Sequence, residues 1–178
     1  MDLQYVSKAR VLHLASVKLE VLDSAARACE SVGVSLSLDL SGEIASLGFN
    51  ELYERLRKCR FLFLNSREFK ALTGLNPSLD LVERFARKTE SLTSVKLGEK
   101  GVIVSDGRET FRVPAFKVEV VDTTGAGDAY AAGFTYAFLS GFSLEECGRI
   151  GNAVAALKIR REGAREGLPT LGELEEFL

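Results

Sequence analysis

The four residues Phe61-Leu62-Phe63-Leu64 limit what this chain can become more than any other stretch. An apolar run this short, with no polar residue to turn toward water, fits a strand covered on both faces. Such a strand needs helices to cover it, and the chain supplies them at regular intervals. Val11-Leu12-His13-Leu14 is a short β-type run, followed by a helical pattern from Leu19 to Ser31 with Leu19, Leu22, Ala25, Ala26 and Cys29 on one side. Gly33 stops that helix, Val34 to Leu40 reads as the next strand, and Phe49 to Lys58 as the next helix. Beyond the Phe61–Leu64 run, Asn65-Ser66-Arg67-Glu68 opens a short helix that Gly74 ends. Asn76-Pro77 marks a loop and Leu79 to Lys88 a helix. Ser94 to Leu97 is strand-like, Gly98 to Gly101 a turn, and Val102–Ser105 with Thr110–Val113 a hairpin about Asp106-Gly107, within a β-rich run that extends to Val120. Strand and helix thus alternate, which implies βαβ units in one domain over residues 1–178. The fold class expected is α/β: a three-layer α/β/α sandwich with a largely parallel, Rossmann-like sheet.

From Ala129 the pattern turns helical: Ala129 to Leu139, a break at Gly141, Leu144 to about Arg161, then Leu171 to Leu178. The longest uncharged run, Ala129 to Leu144, is shorter than the roughly 20 residues of a membrane span, so it reads as a buried helix. With 46% hydrophobic and 27% charged residues, a net charge of −2 and scattered basic residues, neither a membrane nor a nucleic acid is the expected partner. The three cysteines, Cys29, Cys59 and Cys147, have no metal-ligand spacing and each falls in an apparent helix, where they suit a core in a reducing cytoplasm. His13, the only histidine, is expected within or beside a strand.

Chemistry concentrates in Val121-Asp122-Thr123-Thr124-Gly125-Ala126-Gly127-Asp128. Two glycines flanking an alanine allow a sharp turn whose successive N–H groups point into one concavity, a nest for an anion. The helix beyond adds the partial positive charge of its N-terminus. A carboxylate at Asp128 repels a phosphate bound there but suits a base that takes a proton from an attacking hydroxyl. The plain alternative is an Asp that only caps a helix. Neither a Walker loop nor a dinucleotide fingerprint is present, since no Gly-Lys-Ser/Thr follows and Tyr130 stands where a third glycine belongs.

The longer string, Asp-Thr-Thr-Gly-Ala-Gly-Asp-Ala-Tyr-Ala-Ala-Gly-Phe from Asp122 to Phe134, closely resembles the C-terminal signature of the ribokinase-like (PfkB) carbohydrate kinase family. The resemblance implies ATP-dependent phosphoryl transfer to a hydroxyl of a sugar or nucleoside. Asp128 would be the general base, and the amides of Gly125, Ala126, Gly127 and Asp128 the anion hole. It also implies that Asn65 and Glu68, a near capping box on residue type alone, help hold the nucleotide phosphates and a hydrated magnesium ion. Lys96, Gly98 and Gly101 would form a turn against the nucleotide, and Asn152 would lie near the adenine or ribose. Asp122, Thr124 and the loop at Gly163 resemble the family's site for a monovalent cation such as potassium; the competing view is that Asp122 merely caps a turn.

The resemblance runs from about Val11 to the C-terminus. Family members carry ahead of this point a long portion with central strands, sugar-contacting residues and a small β lid, and nothing in this chain corresponds to it. The implied fold is therefore truncated at its N-terminus, with an exposed sheet edge that a second copy or a partner chain would cover. Nucleotide binding is expected to survive better than sugar phosphorylation. A kinase, a catalytically silent nucleotide-binding module and an interaction subunit all remain open readings, and the acceptor is unspecified.

Overall fold

The computed structural model describes residues 1–178. Six strands form one mixed sheet in chain order: β1 (Val11–Ala15), β2 (Ser35–Asp39), β3 (Phe61–Asn65), β4 (Leu92–Lys96), β5 (Val102–Ser105) and β6 (Thr110–Val113). Helices flank it: α1 (Leu3–Val6), α2 (Leu19–Val32), α3 (Gly42–Ala45), α4 (Phe49–Leu56), α5 (Ser66–Thr73), α6 (Leu79–Thr89), α7 (Ala126–Leu139), α8 (Leu144–Lys158) and α9 (Leu171–Phe177). This is the α/β architecture that the alternating pattern called for. The chain divides into two compact units, one of Met1–Val95 with Ser105–Thr110, the other of Lys96–Val104 with Phe111–Leu178.

In the first unit β1 pairs with β2 and β2 with β3, both parallel, with Leu12 opposite Leu36 and Leu38 opposite Leu62. Each crossover steps one place in the same direction, so right-handed connections carry α2, α4 and α6 to one face. Contacts along that face agree. Arg55 of α4 grips Asp23 of α2 at 2.8 Å, and Phe85 of α6 meets Phe49 of α4 with ring centroids 5.5 Å apart. The Phe61–Leu64 run is buried throughout, as its lack of polar residues requires. His13 bonds through Nδ1 to the Ser37 hydroxyl at 2.8 Å, its register partner on β2. β4 begins two residues before the expected Ser94. The buried hydroxyls that lead into it are satisfied locally, Thr89 to Ser91 at 2.7 Å and Ser91 to Thr93 at 3.0 Å, so a polar stretch can enter a core strand.

In the second unit α8 lies against β5 and β6, where a Cβ at Gly148 would meet Val113 at 3.0 Å and Val104 at 3.2 Å. The α7–α8 contact is equally close: a Cβ at Gly133 would fall 2.7 Å from Val154, and one at Gly151 2.7 Å from Tyr130. The small residues of these helices are therefore packing residues. β6 stops at Val113, well short of Val120, because Pro114 has no N–H to continue a ladder. α7 starts at Ala126, three residues ahead of the expected Ala129. All three cysteines are free and buried; burial pushes the Cys59 thiol up to about 12 and the Cys147 thiol to about 11. No helix is long and apolar enough to cross a membrane.

Candidate functional site

The second unit contains the Asp122–Asp128 turn. Gly125 is the residue at the mouth of α7, with φ 77° and ψ 3°, in the left-handed region. A side chain there would be doubly excluded, since a Cβ would also come within 2.7 Å of the Ala164 carbonyl oxygen. Because the capping residue is glycine, no side chain accepts from the first turn of α7. The N–H of Ala126 closes a tight turn onto the Thr123 carbonyl at 3.1 Å. The N–H groups of Gly125, Gly127 and Asp128 meet no acceptor in the protein, and those of Gly127 and Asp128 lie in the first turn of a helix. Three of the four amides expected to form the nest are therefore without a protein acceptor, and that of Ala126 is committed to Thr123. Asp128 is the third residue of α7 and not its cap, and its side chain is exposed.

Asp122 anchors the turn from the other side. Its Oδ1 accepts the N–H of Thr124 at 2.9 Å and its Oδ2 the N–H of Gly163 at 2.8 Å. These bonds hold its pKa down at about 2: the Thr124 N–H contributes most, then the Thr124 hydroxyl and the Gly163 N–H, with the charge of Lys158 adding to them. The Nζ of Lys158 donates to the Asp122 carbonyl oxygen at 3.0 Å, and the side chain is completely buried. Nothing in the sequence marks Lys158, because a lysine in the last turn of a helix ordinarily complements the dipole from solvent. It also changes the fit of a monovalent cation. Both Asp122 carboxylate oxygens already accept N–H bonds and its carbonyl accepts an ammonium, so the oxygens that Asp122 was expected to offer such an ion are already engaged and face a positive charge.

Lys96 ends β4 and Gly98–Lys100 form a 3-10 turn, closed by the Leu97 N–H on the Gly101 carbonyl at 2.8 Å. Gly101 has φ 83°, and a Cβ there would lie 2.0 Å from the Val113 carbonyl oxygen. The close approach that requires glycine at 101 is therefore by the chain's own 113–115 segment. Asn152, 9% exposed, holds the same segment: its Nδ2 donates to the carbonyls of Val113 at 3.3 Å and Pro114 at 2.9 Å. A cleft of about 370 Å³ beside Leu157, Arg160, Arg161 and Pro169 includes none of Gly125 to Asp128, so this cleft does not mark the turn.

Asn65 and Glu68 belong to the first unit. Asn65 Oδ1 accepts from the N–H groups of Arg67 and Glu68 at 2.9 and 3.0 Å, and a Glu68 carboxylate oxygen accepts from the Asn65 N–H at 2.7 Å. The capping box that their residue types allowed is fully formed. No group of three or more His, Cys, Asp or Glu gathers to hold a metal ion. A single carboxylate suits magnesium held mainly by phosphate oxygens and water.

Comparison with known proteins places these residues in context. A model described as pfkB family carbohydrate kinase matches residues 1–171. An uncharacterized sugar kinase from Archaeoglobus fulgidus is 36% identical over 95% of this chain and 68% of its own length. The crystal structure of adenosine kinase from Sinorhizobium meliloti superposes with a TM-score of 0.83 at 32% identity, covering 99% of this chain and 56% of that one. The structure of Arabidopsis thaliana ribokinase complexed with ribose and ATP gives 0.81 at 27% identity, covering 99% and 58%. The chain thus spans between about half and two thirds of the length of these proteins.

Proposed function

Because this chain belongs to the pfkB family of carbohydrate kinases, we propose that it binds the phosphates of ATP at the Gly125–Asp128 turn and transfers the γ-phosphoryl group to a hydroxyl of a sugar or nucleoside. The observation behind this reading is the glycine-capped mouth of α7, where amides without protein acceptors lie next to a carboxylate. Anions are stabilised at such a helix mouth by the N–H groups and by the aligned peptide dipoles. In-line transfer asks for positioned donors around the developing charge and a base for the hydroxyl proton. In this reading the N–H groups of Gly125, Gly127 and Asp128 are the donors, and the Asp128 carboxylate accepts the proton. The tight turn closed by Ala126 holds the donors in place before reaction begins.

For the first unit we propose that Glu68 meets a magnesium ion through water while remaining in its capping box. The metal would neutralise phosphate charge when bound; the protein's own part is to keep Glu68 oriented. Lys96, Gly98, Gly101 and Asn152 are proposed to shape the edge of a nucleotide pocket through the 97–101 turn and the 113–115 segment. The buried thiols suit the cytoplasm. Strand β1, paired only with β2, is proposed as the edge where a second copy or a partner chain would add.

A second reading, nucleotide binding with little turnover, is favoured by the exposure of Asp128, since a base open to water works poorly. Titration of ATP and ADP, followed by phosphorylation assays on sugars and nucleosides, separates the two. Affinity with turnover supports the kinase, affinity without turnover supports the second reading, and no affinity removes both.

A further inference from the structure

We propose that Lys158 is a positioning residue whose ammonium group stands in for a monovalent cation at the Asp122–Asp128 turn. Fully buried lysines are rare, because an ammonium removed from water is costly unless other charges and dipoles compensate it. Here Asp122 compensates it, with its carbonyl oxygen 3.0 Å from Nζ and its carboxylate in the same electrostatic neighbourhood. The ties that hold this turn to the rest of the chain run to one segment, residues 158–164. The N–H groups of Val121 and Asp122 donate to the Ile159 carbonyl at 2.8 and 3.1 Å. Gly163 donates to the Asp122 carboxylate at 2.8 Å, and Ala164 occupies the space that a side chain at 125 would need. Lys158 is the charged member of that set. The effect passes from Lys158 to Asp122, from Asp122 to the Thr124 N–H, and from there to Gly125, whose conformation sets the open amides. A free ion could supply the same charge only in proportion to its concentration. An ammonium fixed to α8 supplies it always, so nucleotide binding should be indifferent to potassium.

This inference rests on the reading of the turn as a nucleotide-phosphate site, and the test keeps the two apart. Wild-type chain is compared with Lys158→Ala, which opens space for an ion, and Lys158→Met, which fills it. Each is measured in potassium chloride, ammonium chloride and choline chloride at equal ionic strength. The readouts are ADP affinity by calorimetry and the thermal midpoint without nucleotide. Wild type is expected to give the same values in all three salts. Lys158→Ala is expected to lose ADP affinity in choline by about tenfold or more, the usual size of coupling between linked sites. Potassium or ammonium should restore that affinity and raise the midpoint, while Lys158→Met stays unresponsive. The proposal is overturned by a potassium requirement in the wild type, by a Lys158→Ala protein that behaves like wild type, or by a loss that no cation selectively repairs. If the wild type binds no ADP, the nucleotide reading fails, and the midpoints alone decide the role of Lys158. If Lys158→Ala does not fold, the wild-type salt series decides it.

Discussion

The first turns of α5 and α7 are finished in opposite ways. At α5, Asn65 and Glu68 exchange hydrogen bonds with the backbone, so the donors of that turn are spent inside the protein. At α7 the corresponding position is Gly125, which offers no side chain, and the N–H groups of Gly127 and Asp128 meet no acceptor within the protein. α8 and α9 resemble α5, with Ser143–Glu146 and Thr170–Glu173 boxes. α2 and α4 also begin without a side-chain cap, so what sets α7 apart is the turn tied down beside its mouth, where Asp122 accepts the N–H groups of Thr124 and Gly163. The contrast separates stability from binding, and substitutions at the two ends should separate in the same way.

The largest effect is expected at Asp128. Asp128→Asn should lower turnover by about 10³-fold, within the range for loss of a general base, while ADP affinity measured by calorimetry changes little. Next comes Gly125→Ala, which forces a side chain into a left-handed conformation and against Ala164. Strain of this kind costs about 1–3 kcal/mol, and denaturant unfolding should show it together with a marked loss of ADP binding. Asn65→Ala should cost about 1 kcal/mol of stability, as loss of a helix cap does, while ADP affinity measured without magnesium, which reads the α7 turn alone, changes little. Equal losses of ADP affinity from Gly125→Ala and Asn65→Ala would break the comparison.

The smallest effect is the acid dependence of Asp122. Its folded pKa, about 2, lies below its ordinary value of 3.8, so it contributes stability that is fully present above about pH 4 and is lost as pH falls through 2. Thermal midpoints between pH 5 and 2 should fall less steeply in Asp122→Asn than in wild type. Parallel slopes would show that the carboxylate does not hold the turn.

Much of this contrast could be read in advance where side-chain chemistry is local. Asn65-x-x-Glu68 announces a capping box, the Phe61–Leu64 run announces a buried strand, and Asp106-Gly107 announces the hairpin, whose strands lie where expected. The start of α7 was hidden because Gly-Ala-Gly reads as loop on propensity, and tertiary contact with Ala164 overrides that preference. The short helices α1 and α3 leave almost no periodic signal. Lys158 was illegible for a different reason. Its ammonium is met by the carbonyl of Asp122, 36 residues earlier in the chain, and nothing in its own helix distinguishes it from a solvated lysine. The Asp122–Asp128 string named the candidate residues, but not that Ala126 spends its amide on Thr123.

The central claim is that the mouth of α7, unlike that of α5, is a phosphate site. Amide resonances followed by NMR while ADP is added test it most directly. The account predicts large shifts at Gly125, Gly127 and Asp128 that saturate together, with much smaller ones at Arg67 and Glu68, whose N–H groups are held by Asn65. Saturating ADP binding that leaves the Gly125, Gly127 and Asp128 amides unmoved would contradict it.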